Sequence, residues 1–160
     1  MLKRDMIYDK ALQFRMAIEK AVDHDQLSFY PFNKFPSECC DYASELLAQY
    51  LFEAGVYTVM IRGTHINDLQ RYHIWLRTLC DGLTIDITAD QFSFKGEMPS
   101  NIPSVIVGSE KDIHGLFGYD RKEEKPMLFY TAENRINNEY ESSKRVYELI
   151  CAYEKILEYL

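Results

Sequence analysis

VYTVMIRGTHINDLQRYHIWLRTLCDGLTIDIT, residues 56–88, decides the fold. Residues 56–62, Arg71 to Cys80 and Leu83 to Thr88 are rich in β-branched and aromatic side chains, which suit a pleated, half-buried surface. A polar turn, Gly63 to Gln70, separates the first two runs, and the tight-turn pair Asp81-Gly82 separates the second and third. The pattern predicts three antiparallel strands. A two-residue turn at Asp81-Gly82 would set His73 opposite Asp90 and Arg77 opposite Asp86, the latter about 13 Å along the strand.

Working outward, residues 4–24 place Ile7, Ala11, Phe14, Ile18 and Val22 at spacings of three and four, which predicts an amphipathic helix. Leu27 to Pro36 (LSFYPFNKFP) reads as an irregular segment apolar enough to pack over the core. A second helix is expected from a Ser37 cap, with Ala43, Leu46, Leu47, Tyr50, Leu51 and Ala54 as its buried stripe and Gly55 as its stop. Ile102 to Val107 reads as a fourth strand and Gly108 to Pro126 as a loop. Tyr140, Val146, Tyr147, Ile150, Tyr153, Ile156, Leu157 and Leu160 fit one long C-terminal helix. Two helices, an antiparallel sheet and a helix, with no repeat or linker, predict a single α+β domain over residues 1–160.

Composition narrows the classes. Of 160 residues, 47% are hydrophobic and 4 are Cys, which excludes a disordered tail, a collagen-like fibre and a disulfide-dense miniprotein. No apolar run reaches the roughly 18–20 residues of a membrane span, and MLKRDMIYDK lacks the apolar core of a secretory signal, so a cytoplasmic location is expected. A formal charge of −7 and the lack of a basic cluster argue against a nucleic-acid partner. Cys39, Cys40, Cys80 and Cys151 form no CxxC pair, so free thiols are expected and neither a metal nor a cofactor is called for.

Three stretches carry the chemistry. FPSECCDYASELL (residues 35–47) puts two cysteines in the first turn of a helix, where unpaired amides and the helix dipole favour a thiolate. YHIWL (residues 72–76) puts His73 in an apolar strand, and IDITADQF (residues 85–92) adds Asp86 and Asp90. A thiol nucleophile needs a base within reach, and the base needs an acceptor that fixes its tautomer. The expectation is a helix-borne Cys facing a hairpin that carries His73 and one of the two carboxylates. Cys40 shares a stripe with Ala43, Leu47 and Leu51; Cys39 shares one with Ala43, Leu46 and Tyr50, so periodicity leaves both open.

The helix-start Cys, the H-x-W of His73 to Trp75 and the D-x-T of Asp86 to Thr88 resemble the transglutaminase-like branch of the papain-like cysteine hydrolase superfamily. The longer string FPSECCDYASELLAQYL…YHIWL…IDITADQF is similar to an uncharacterised bacterial branch of it, over residues 35–92. The resemblance implies a papain-like core, with the Cys helix packed on a sheet that bears His and Asp. It also selects Cys40, counted back from Ala43-Ser44, and favours Asp86, where simple hairpin geometry favours Asp90.

The expected activity is cysteine-dependent hydrolysis or acyl transfer at an amide, peptide or acyl carbonyl of a peptide, protein or small substrate. Alternatives are a non-catalytic binding module of the same fold and a delivered effector or toxin domain. An acyltransferase using coenzyme A is a further option that the acidic charge disfavours. Trp75 reads as core packing or a wall of the acyl pocket, and Gln91 as a turn residue or a substrate-amide contact. His114 is expected on a loop bordering the site, and His65 in an exposed polar turn.

Overall fold

The computed structural model describes residues 3–95, 101–130 and 144–160. Among them the chain runs α1 (Lys3–Asp23), α2 (Cys40–Glu53), β1 (Thr58–His65), β2 (Asp68–Thr78), β3 (Thr84–Asp86), β4 (Ile106–Gly108), α3 (Asp112–Leu116), β5 (Tyr119–Glu124) and α4 (Lys144–Leu157). The fold is α+β. All neighbouring strands are antiparallel, in the order β4-β3-β2-β1-β5. Among the described residues, no helix is long and apolar enough to cross a membrane.

Strand alternation gives the sheet two apolar faces. Met60, Ile74, Leu76, Ile85 and Val107 meet the buried stripes of α1 (Ile7, Ala11, Phe14, Ile18), α2 (Ala43, Leu46, Leu47, Leu51) and α4 (Leu149, Ile150, Tyr153, Ile156). Ile61, Trp75 and Ile106 point the other way and join Ala89, Phe92, Ile113 and Phe117 in a second, smaller core under α3. Phe14 links the three helices, stacked on Tyr50 at 5.0 Å and 6.3 Å from Tyr153 between ring centroids.

Several boundaries depart from the sequence reading. The second helix begins at Cys40, with Cys39 as an N-cap that makes no side-chain cap bond, so Ser37 does not cap it. Gly55, at φ +77°, does close it: the Val56 N–H donates to the Leu51 carbonyl at 2.9 Å. The first hairpin keeps pairing to His65↔Asp68 around a short turn, deeper into the polar stretch than side-chain type suggested.

The second hairpin corrects the expected register. Its pairs are Leu76↔Ile85 and Arg77↔Thr84, two positions away from the Asp81-Gly82 register. The Thr78 hydroxyl accepts from the Leu83 amide, and the Gly82 amide donates to the Thr78 carbonyl, so the loop closes wider than a two-residue turn. The fourth strand is only Ile106–Gly108, and the expected loop from Gly108 to Pro126 holds both α3 and edge strand β5. The expected helical position Tyr140 lies outside the described residues.

Gly63 governs how closely α3 approaches the sheet. A Cβ there would lie 1.9 Å from the Phe117 carbonyl oxygen, so no larger residue fits without moving the end of α3.

Candidate active site

The adjacent cysteines part company at the start of α2. Cys39 is fully buried, and its Sγ donates to the Pro31 carbonyl at 3.0 Å. Burial, helped by neighbouring Cys40 and Glu38, pushes its thiol up to about 12, so it stays protonated at neutral pH. Cys40 is 7% exposed and lines a cleft of about 370 Å³ bordered by Tyr30, Glu38, Arg71, Tyr72, Gln91 and Phe92. Of the vicinal pair, Cys40 is the thiol with access to that cleft.

His73 stands in β2, fully buried, its ring 5.1 Å from Phe92, 5.5 Å from Phe117 and 5.6 Å from Trp75. Its Nε2 is 2.6 Å from Asp86 Oδ2. Its Nδ1 is buried and, among the described residues, makes no hydrogen bond of ordinary geometry, while the Cys40 thiol interacts with the ring. Burial opposes a charge on this imidazole. The Asp86 charge and hydrogen bond, reinforced by Cys40, outweigh it and raise His73 from about 6.5 to about 10.

Asp86 closes β3. Continuing the ladder past Leu76↔Ile85 sets it beside Trp75, so its carboxylate reaches His73 along the diagonal. Oδ2 also meets His114 Nε2 at 3.1 Å, and Oδ1 accepts the Thr88 amide at 2.9 Å. Burial alone would raise this carboxyl. The facing His73 charge and these donors hold it well below the usual carboxylate range.

The hairpin candidate Asp90 is placed elsewhere. Its two oxygens accept from Arg15 Nη1 and Nη2, both at 2.9 Å, and Arg15 Nη1 also donates to the Ile87 carbonyl at 2.6 Å. The chain leaves the sheet after Asp86 and turns into a 3-10 segment, Ala89–Lys95, so extrapolating the ladder to Asp90 fails.

The remaining candidates divide. Gln91 lines the cleft with Cys40, its Nε2 donating to the Thr88 carbonyl at 2.9 Å. Trp75 is fully buried and packs 4.9 Å from the His114 ring, which makes it core. His114 is corrected from a loop at the rim to a fully buried position on α3, behind Asp86. His65, expected exposed, is buried at the end of β1 with its ring edge-on to Phe117 at 5.3 Å.

Sequence reasoning missed Arg15, although a signal existed. It lies four residues after Ala11 and three before Ile18, on the buried stripe of α1, where a charge implies a buried partner. Among the described residues, no group of three or more His, Cys, Asp or Glu side chains is arranged to hold a metal ion. What the arrangement offers chemically is a thiol at a helix start beside an imidazole whose far nitrogen is fixed on a buried carboxylate. No family model, curated protein or solved structure matches the chain.

Proposed function

We propose that this protein is a cysteine-dependent hydrolase or acyltransferase in which Cys40 is the nucleophile, His73 carries the proton and Asp86 orients His73. The observation that carries this reading is a buried ring whose Nε2 is held by Asp86 and whose Nδ1 meets no partner at ordinary hydrogen-bond geometry among the described residues, with Cys40 as the ring's thiol neighbour. A raised imidazole beside a thiol favours the thiolate–imidazolium pair. The resemblance to transglutaminase-like proteins agrees with the order Cys, His, Asp.

In this mechanism Cys40 Sγ adds to a carbonyl carbon, and the first-turn amides of α2, which have no intrahelical acceptor, stabilise the oxyanion. Collapse of the adduct breaks the carbon–leaving-group bond, and His73 gives its Nδ1 proton to the departing amine, leaving a thioester on Cys40. Water then attacks the thioester while His73 takes its proton, and cleavage of the C–S bond returns the acid product and the thiol. An amine in place of water makes the same sequence an acyl transfer. The open cleft beside Cys40 admits water, which makes hydrolysis the simplest outcome.

Site-resolved alkylation across pH tests this reading on wild type and His73→Ala. Cys40 is expected to label at pH 6 about tenfold or more faster than exposed Cys80, and His73→Ala is expected to remove that advantage. Labelling of Cys40 only as pH nears the ordinary thiol value of about 8.5, unchanged in the variant, would reduce the fold to a binding module.

A further inference from the structure

The buried imidazole of His114 takes no part in the mechanism above, yet it shares an acceptor with His73. Its Nδ1 accepts the Lys111 amide N–H at 2.9 Å, so that nitrogen carries no proton and the ring proton stands on Nε2. Nε2 faces Asp86 Oδ2 at 3.1 Å, and His73 Nε2 faces the same oxygen at 2.6 Å. Two imidazole N–H groups therefore converge on one carboxylate oxygen, while Thr88 occupies the other.

We propose that His114 is a positioning residue, whose tautomer is locked by the Lys111 amide so that its Nε2–H fixes the Asp86 oxygen that orients His73. Its own placement is clamped from β5: Arg121 Nη2 donates to the His114 carbonyl at 2.7 Å, and the Arg121 guanidinium lies 5.1 Å from the Trp75 ring. Arg121 Nη1 is in turn held by the exposed Glu110 at 2.9 Å. Cleft chemistry thus depends on a five-residue helix that does not touch the cleft.

This assignment rests on the reading of Cys40 and His73 as a working pair. Among the described residues, the ionisable groups around Asp86 are His73 on β2, His114 on α3 and, through the His73 ring, Cys40 on α2. Arg121 on β5 and Arg15 on α1 bind backbone carbonyls nearby, at His114 and Ile87. Removing one N–H donor leaves the buried carboxylate easier to protonate. Once Asp86 takes a proton, His73 loses the charge that stabilises its imidazolium.

The test compares wild type, His114→Gln and His114→Leu in two measurements. Long-range proton–nitrogen NMR on the folded protein is expected to show His114 protonated at Nε2 with a bare Nδ1; the opposite tautomer would overturn the proposal whatever the fate of Cys40. In alkylation across pH 4.5–7, His114→Leu is expected to label Cys40 about tenfold more slowly at the acid end, and His114→Gln, which keeps a donor near Nε2, to recover most of that rate. If His114→Leu follows wild type while His73→Ala is slow, the positioning role fails and the catalytic reading stands. If wild-type Cys40 already behaves as an ordinary thiol, the catalytic reading itself has failed. Should His114→Leu not fold, the glutamine variant and the NMR tautomer still decide.

Discussion

Asp86 and Asp90 carry the same group four residues apart, yet one is buried against two imidazoles and the other is held by a guanidinium. Asp86→Asn should slow Cys40 alkylation at pH 6 about tenfold or more, because an amide cannot stabilise the His73 imidazolium as a carboxylate does. Asp90→Asn should leave that rate near wild type while lowering stability by about 1–2 kcal/mol through the weakened Arg15 contact, read as a urea midpoint. Equal rates in the two variants would contradict this division. The motif in the sequence pointed to Asp86 and strand arithmetic to Asp90; the arithmetic failed because no residue type announced the wider loop that Thr78 closes. The Cys40 and Cys39 ambiguity had a similar origin. Both positions fit a buried stripe, and what separates them is the Pro31 carbonyl beside Cys39 and the cleft beside Cys40.

The long elements were legible; of the short ones, β3 and β4 were read as strands but too long, and α3 and β5 were missed. The stripes of α1 and α2 span several turns and so show their period, whereas α3 has five residues and β3 and β4 have three each. Strand β5, YDRKEE, shows no β-prone alternation because it is an exposed edge held by pairing to β1, and its charges suit such an edge. Both missed elements govern His114, so the unreadable part of the fold is also what supports the site from behind. Gly63 ties them together. Gly63→Ala should cost about 1–3 kcal/mol by overpacking against the Phe117 carbonyl, and it should slow Cys40 alkylation as α3 is displaced. Unchanged labelling in a destabilised Gly63→Ala protein would show that α3 can shift without disturbing Asp86.

For the molecule as a whole, the buried His73–Asp86 pair makes stability depend on pH with a definite sign. A His raised from about 6.5 to about 10 on folding contributes fully below the lower value and loses that contribution as pH rises to the upper one. Asp86, held below its ordinary value, contributes above that value and loses its contribution as pH falls. Urea midpoints of wild type should therefore decline between pH 6.5 and 10 more steeply than those of His73→Gln; parallel curves would mean the ring is not charged in the folded protein. The α+β class was readable from element order alone, since it needs only the sum of many local periods. How distant helices hold the loop after β3 was not, because those contacts join side chains far apart in the chain. Arg15, from the first helix, grips the carbonyl of the residue next to Asp86, and His114, from beyond the fourth strand, grips Asp86 itself. A peptide cut to residues 35–92 would contain every reacting atom and neither grip, so the motif is an excerpt of the machine and not a portable cassette.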